Sequence, residues 1–136
     1  MEKLISAQLQ TGEMVCLKLK EENSCLYSIT AFNSADSEIA SIWFHLKNRI
    51  CYISRIEVKQ ENYSHMGIGT MLLKHMEKFA MKNYCYNIDG RFYPFGELGK
   101  HARAFYIKND YQIYKDGYET YIGKTLTRTS NEEKTF

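Results

Sequence analysis

The sequence predicts an α/β chain of the α+β kind: an antiparallel meander, a strand that turns directly into a helix, and a closing hairpin. Three observations predict it. Between Ile50 and Asn83 the apolar period changes at Gly67, from a near-continuous run (Ile50, Cys51, Tyr52, Ile53, Ile56, Val58) to a helical spacing (Ile68, Met71, Leu72, Met76, Phe79, Ala80). Ahead of it, strand-like runs alternate with polar, turn-forming breaks. Behind it, Lys115-Asp116-Gly117 between two aromatic runs is an Asp-Gly hairpin signal.

Taken in order, the breaks Thr11-Gly12-Glu13, Glu21 to Ser24, Asn33 to Ser37 and Lys47-Asn48-Arg49 set off strands at Met14 to Leu19, Cys25 to Phe32, Glu38 to Leu46 and Ile50 to Val58. Trp43 and Phe44 point to opposite faces of their strand. With a helix on one face, the other is expected to need a second layer or a partner, so the chain should dimerise or act on a macromolecule. Cys85 to Phe95 supplies the next strand. Pro94, the single proline, lacks an N–H and fits a strand end or a place where two strands separate. Glu97 to Asn109 is helical through Leu98, Ala102, Phe105 and Tyr106, and the hairpin pairs Tyr111 to Tyr114 with Tyr118 to Ile122. One domain is expected over 1–123, with 124–136 a polar C-terminal tail.

At 136 residues the chain is long enough for one substantial core. A formal charge of +2 gives no case for non-specific binding to nucleic acid or membrane. No apolar run approaches the roughly 20 residues that cross a bilayer, and the first residues lack the apolar core of a signal peptide, so a soluble, cytoplasmic protein is expected. Cys16, Cys25, Cys51 and Cys85 form no Cys-x-x-Cys pair and no metal-ligand spacing with His45, His65, His75 or His101. Buried, inert thiols and no metal are expected.

Gly67 and Gly69 lack a Cβ where the first unpaired N–H groups of the helix point outward, so the turn is a cradle for an anion, reinforced by the helix dipole. It is not a dinucleotide fingerprint, because Leu72 stands where the third glycine belongs. It is not a nucleoside-triphosphate loop, because Gly69 runs straight into Thr70 without a lysine. By itself the turn is equally a plain strand-to-helix connection.

Ser64-His65-Met66-Gly67-Ile68-Gly69 after the strand resembles the signature of the GNAT superfamily of N-acetyltransferases, Arg/Gln-x-x-Gly-x-Gly/Ala, with Ser64 in the place of the Arg or Gln. A second block, His101 to Tyr111, resembles the later superfamily segment in which an alanine, a Phe/Leu-Tyr pair and a polar break precede an aromatic strand. Together the blocks carry the resemblance over Ile50 to Ile122. A fainter similarity, through Tyr93-Pro94, Phe105-Tyr106 and Asn109-Asp110, is to short phage-encoded acetyltransferases that modify a lysine on a CRISPR nuclease. The chain lacks the helix pair that in most of the superfamily lies near the N-terminus and forms much of the acceptor pocket.

The resemblance implies a GNAT-like mixed sheet in which the strand after the helix lies parallel to the central one and splays from it. It implies acetyl-CoA as co-substrate, with its pyrophosphate on backbone N–H groups of Met66, Gly67, Ile68, Gly69 and Thr70. Ile56, Glu57 and Val58 would border the pantetheine arm and the acetyl carbonyl. Tyr106 matches the residue that many members use as general acid toward the sulfur; with reference values of about 10 for a phenol and 8.5 for a thiol, a neutral tyrosine suits that task. The bland alternative is that Tyr106 is one of eleven tyrosines filling an aromatic core. Glu57 is the preferred base, with Glu97 and His101 behind it.

The acceptor is an amine, on a protein or a small molecule, and the absent helix pair favours a protein. A different class remains open: a non-catalytic coenzyme A binder or interaction module, favoured by Ser64 and disfavoured by Tyr106.

Overall fold

The computed structural model describes residues 2–127. β1 (Glu2–Gln8), β2 (Met14–Glu21), β3 (Leu26–Phe32), β4 (Glu38–Lys47) and β5 (Ile50–Val58) form the antiparallel meander. α1 (Ile68–Lys82) leads to β6 (Asn87–Phe92), which runs parallel to β5. α2 (Gly96–Lys108) then precedes the hairpin of β7 (Gln112–Asp116) and β8 (Glu119–Thr125). All eight strands share one sheet in the order β1-β2-β3-β4-β5-β6-β8-β7.

The apolar row read from the sequence is the face that α1 buries: Leu72, Met76 and Ala80 have no exposed surface, and neither has Leu73 beside them. They meet a sheet face carrying Leu17, Leu19, Ile29, Ile42 and Phe44, all equally enclosed. Each such side chain contributes about 1.5–3 kcal/mol on leaving water, which far outweighs the helix propensity of any one residue. Tyr27, Phe44 and Phe79 lock the lower end of this interface with ring centroids 5.1 to 5.9 Å apart.

The β5–β6 ladder is short. It pairs Ile50 to Ile53 with Asn87 to Gly90 and stops, while β5 continues to Val58. Ser54 is the extra residue of a bulge there, since Trp43 pairs with Arg55 and Phe44 with Ile53. A bulge bends its strand and adds twist, so the two parallel strands part just beyond it. Pro94 follows the end of β6, as a residue without an N–H must in a paired sheet.

Four expectations are corrected. β1 has no counterpart in the sequence reading: of its seven residues only Ile5 is buried, and an edge strand with one inward side chain leaves no period to detect. The strand expected over Cys85 to Phe95 is shorter, because the Cys85 N–H still closes α1 by bonding the Ala80 carbonyl. The hairpin turn is Gly117-Tyr118, one residue later than the Asp-Gly signal, with Gly117 at φ +67 and Asp116 paired to Glu119. That places glycine first in a two-residue loop, where a positive φ is wanted.

The fourth correction is to the C-terminal boundary. β8 continues through Thr125, and Lys124 Nζ lies 3.1 Å from Glu77 Oε1, with only 17% and 8% of the two side chains exposed. Lys124 therefore belongs to the core and not to a tail; residues 128–136 of that tail lie outside the described residues.

On the face of the sheet away from α1, cationic side chains lie over two aromatic ones. Phe44 packs on Phe79, so its neighbour Trp43 points the other way, and the Arg55 guanidinium covers its indole at 5.3 Å. Lys18 lies over Phe32 at 5.6 Å. Long cationic side chains bury their stems on apolar surface and keep their charge in water, so these two aromatic rings are covered from within the chain, while Leu4 and Tyr52 stay exposed on the same face.

Candidate active site

The loop after β5 is tied down before it reaches α1. A single 3₁₀ turn at Glu61–Tyr63 puts the Tyr63 hydroxyl 2.6 Å from Glu13 Oε2, fixing the loop on the β1–β2 connection. His65 then takes φ +64 and Gly67 φ +82 with ψ 5, two left-handed residues that swing the chain into the helix. No side chain caps α1, and among the described residues the N–H groups of Gly67, Ile68, Gly69 and Thr70 have no partner. Four unpaired donors at a helix start are the arrangement that an anion cradle requires.

These groups border a cavity of about 570 Å³. β5 lines it with Ile56, Glu57 and Val58, α1 with Gly67 to Thr70, and α2 with Phe105 and Tyr106. Of the residues expected to hold the co-substrate, Met66 alone is not among those lining it. Its N–H is spent on the Tyr63 carbonyl at 3.3 Å and its side chain packs against the core, so the cradle begins one residue later, at Gly67.

The two glycines serve different ends. A Cβ on Gly67 would stand 3.2 Å from the Gln10 side chain, in a backbone conformation that L residues rarely adopt. A Cβ on Gly69 would stand 3.1 Å from the Phe105 ring, so Gly69 admits α2 against α1. That is a packing role, where the sequence reading gave it a ligand's approach. Gln10 reaches the cavity from the β1–β2 turn and is a site residue that no local motif announces. It puts an amide above the turn where Ser64 offers only a hydroxyl.

Tyr106 is 8% exposed and sits in an aromatic cluster with Phe92, Phe105 and Tyr111 at centroid distances of 6.3, 5.2 and 5.5 Å. Tyr106 is thus part of the aromatic core, and it also lines the cavity. Burial pushes its phenol up to about 12, so it holds its proton at neutral pH. Its hydroxyl donates no hydrogen bond to the described residues, which leaves the proton available to the cavity.

Glu57 is half-buried and pairs with Ser41 across β4. Of the other acids and bases considered, His101 lines the cavity, whereas Glu97 is exposed and paired with Lys100 at 3.6 Å. Cys51 and Cys85 are buried and burial raises both thiols; Cys16 and Cys25 are half-buried. Among the described residues no group of three or more His, Cys, Asp or Glu comes together to hold a metal ion, and no helix is long and apolar enough to cross a membrane.

No protein-family model matches the sequence, and no curated protein matches it. Solved structures do. The GNAT domain of S. lividans PAT superposes with a TM-score of 0.74 at 8% identity, over 90% of this chain and 97% of that one. PaiA N-acetyltransferase from Thermoplasma acidophilum, solved in complex with coenzyme A, gives 0.64 at 22% identity over 74% and 61%. The ribosomal-protein-S18-alanine N-acetyltransferase from Escherichia coli gives 0.65 at 12% identity over 83% and 77%.

The class is therefore defined by architecture: the chain has the fold of the GNAT N-acetyltransferases. Its mixed sheet, its two helices and the parting of β5 from β6 all agree with the resemblance read from Ser64 to Gly69 and from His101 to Tyr111.

Proposed function

We propose that the protein is an acetyl-CoA-dependent N-acetyltransferase that moves an acetyl group directly to an amine. The observation that carries this is convergence: four unpaired N–H groups, the end of β5 and a protonated tyrosine border one cavity. The solved relative bound to coenzyme A lends support, since it shares this fold.

The residues present fit the co-substrate. Gly67 to Thr70 would hold its pyrophosphate, with Gln10 as an added side-chain donor, and the backbone of Ile56 to Val58 would orient the acyl arm. Acetyl-CoA, when bound, supplies the acetyl thioester. Glu57 takes a proton from the arriving ammonium, directly or through water, because only the neutral amine has a free electron pair. A C–N bond forms, the C–S bond breaks, and Tyr106 gives its proton to the departing sulfur. Two protons leave the nitrogen, of which one ends on the thiol and one in solvent.

The acceptor in this reading is an amine on a protein, a lysine above all, since among the described residues no helix precedes β5 to cover the acceptor side. A cytoplasmic setting suits the free thiols of Cys51 and Cys85. Ser64 favours the second reading, a coenzyme A binder without turnover. Calorimetry with coenzyme A, followed by acetylation of lysine peptides with thiol detection, tests both. Tight binding with no thiol release above the uncatalysed rate selects the second; no binding overturns both.

A further inference from the structure

Glu77 and Lys124 form an enclosed charged pair to which acetyl transfer gives no task. Only 8% and 17% of their side chains are exposed, and Lys124 Nζ lies 3.1 and 3.2 Å from the two Glu77 carboxylate oxygens. Taking two charges out of water can cost more than their attraction returns, and apolar side chains of similar volume often hold a core as well or better. Stability by itself is therefore a poor reason for the pair. What it has and an apolar pair lacks is direction, because each of its remaining hydrogen bonds ends on a particular atom.

Those bonds lead to the donor cavity. The Tyr111 hydroxyl donates to Glu77 Oε2 at 2.8 Å, and Lys124 Nζ donates to the Asn109 carbonyl at 3.1 Å while standing 5.3 Å from the centre of the Tyr111 ring. Burial and the Glu77 carboxylate both raise the Tyr111 phenol, so its proton stays in that bond. Tyr111 in turn holds Tyr106 twice. Its N–H donates to the Tyr106 carbonyl at 2.9 Å, and the two rings meet edge to face at 5.5 Å. Asp110 takes φ +70 between them, the left-handed step that ends α2 and folds Tyr111 back onto it. The Tyr106 hydroxyl has no partner among the described residues, so its place is set by its backbone and by the rings around it. Of those rings Tyr111 is the one a hydrogen bond anchors, since Phe92 and Phe105 carry no polar side-chain atom.

We infer that Glu77 and Lys124 are positioning residues for Tyr106: through Tyr111 and Asn109 they fix where the end of α2 stands, and so where the phenol enters the donor cavity. The inference rests on the acetyltransferase reading and extends its machinery to two residues that touch no substrate. It also gives the two charges a reason to be buried that an apolar pair could not supply.

The double variant Glu77→Leu/Lys124→Met removes both charges and strands neither, Tyr111→Phe removes the anchoring hydroxyl alone, and Lys124→Arg keeps the cation. Three quantities are read: the melting temperature, the nuclear Overhauser contacts of the Tyr106 ring with Phe92 and Phe105, and thiol release from acetyl-CoA with a lysine peptide. The double variant should melt at or above the temperature of the unaltered protein, lose those ring contacts and show kcat lowered about tenfold to a hundredfold, with KM for acetyl-CoA changed far less. Lys124→Arg should recover most of the rate. A double variant with full kcat or unaltered ring contacts overturns the inference. Tyr111→Phe keeps the ion pair and repeats the test independently, so unaltered contacts and rate in that variant overturn it even if the double variant does not fold. The ring contacts are read without turnover. No thiol release from the unaltered protein is thus failure of the acetyltransferase reading, whereas normal turnover with unmoved contacts in the variants is failure of this one.

Discussion

Asn109 Nδ2 donates to Thr70 Oγ1 at 3.2 Å, joining the end of α2 to the first turn of α1. The same amide donates to the Phe105 carbonyl at 2.9 Å, and Asn109 is only 3% exposed. The helix that carries Tyr106 is thereby fixed to the turn that would hold the pyrophosphate. Asn109→Ala removes both side-chain bonds, although the Phe105 carbonyl keeps the Asn109 N–H at 3.2 Å, so it should cost about 0.5–1.5 kcal/mol in urea denaturation and weaken coenzyme A in calorimetry. Unchanged stability and affinity together would show that the link is incidental.

Gly67→Val and Gly69→Val should both lose coenzyme A binding, by different routes. At Gly67 the branched side chain meets a left-handed backbone, at a cost on the order of 1–2 kcal/mol, and crowds Gln10. At Gly69 it displaces Phe105, so the near-ultraviolet circular dichroism of the aromatic cluster should change in this variant alone. Full affinity in both folded variants rules out the cradle.

Tyr106→Phe removes one hydroxyl and leaves the edge-to-face ring contacts in place. It should lower kcat roughly 10²- to 10⁴-fold while the affinity for coenzyme A stays the same. A fall in KM-dependent terms only would make Tyr106 a positioning residue, and full kcat across the pH profile would make it aromatic core alone.

Raised phenols also predict how stability depends on pH. A tyrosine that ionises near 10 when unfolded and about 12 when folded binds its proton more tightly in the native state. Its contribution is therefore complete below pH 10 and is lost as pH rises from 10 to 12, by on the order of 2–3 kcal/mol. Tyr111, raised further by burial and by Glu77, acts in the same direction. Denaturation at stepped alkaline pH should show this fall, and Tyr106→Phe should make it shallower.

Glu77 is held by Lys124 and by the Tyr111 hydroxyl at 2.8 Å, so removing one partner strands a charge in the core. Glu77→Ala should cost about 3–5 kcal/mol, and a chain ended at Gly123 should be destabilised comparably. A truncated chain with the original melting temperature would restore the earlier boundary.

Along the chain, every element with a strong period was legible. The row from Ile68 to Ala80, the continuous run from Ile50 to Val58 and the Gly67 turn are local patterns, set by which side chains leave water and by where a backbone lacks a Cβ. Tyr106 was legible through its place beside Phe105. β1 was not, because one buried residue in seven makes no period, and Met66 was assigned to the cradle because spacing does not show which N–H is already bonded.

What the sequence determined by itself is thus the succession of strands and helices and the family of folds they build, since both follow from short-range periodicity. Tertiary structure alone decided that Gln10 would reach Gly67, that Gly69 would make room for Phe105, and that Glu77, Tyr111 and Lys124 would meet in the core. Each of these joins residues distant in the chain, and their meeting depends on sheet register and on the bulge at Ser54, which no run of neighbouring residues encodes.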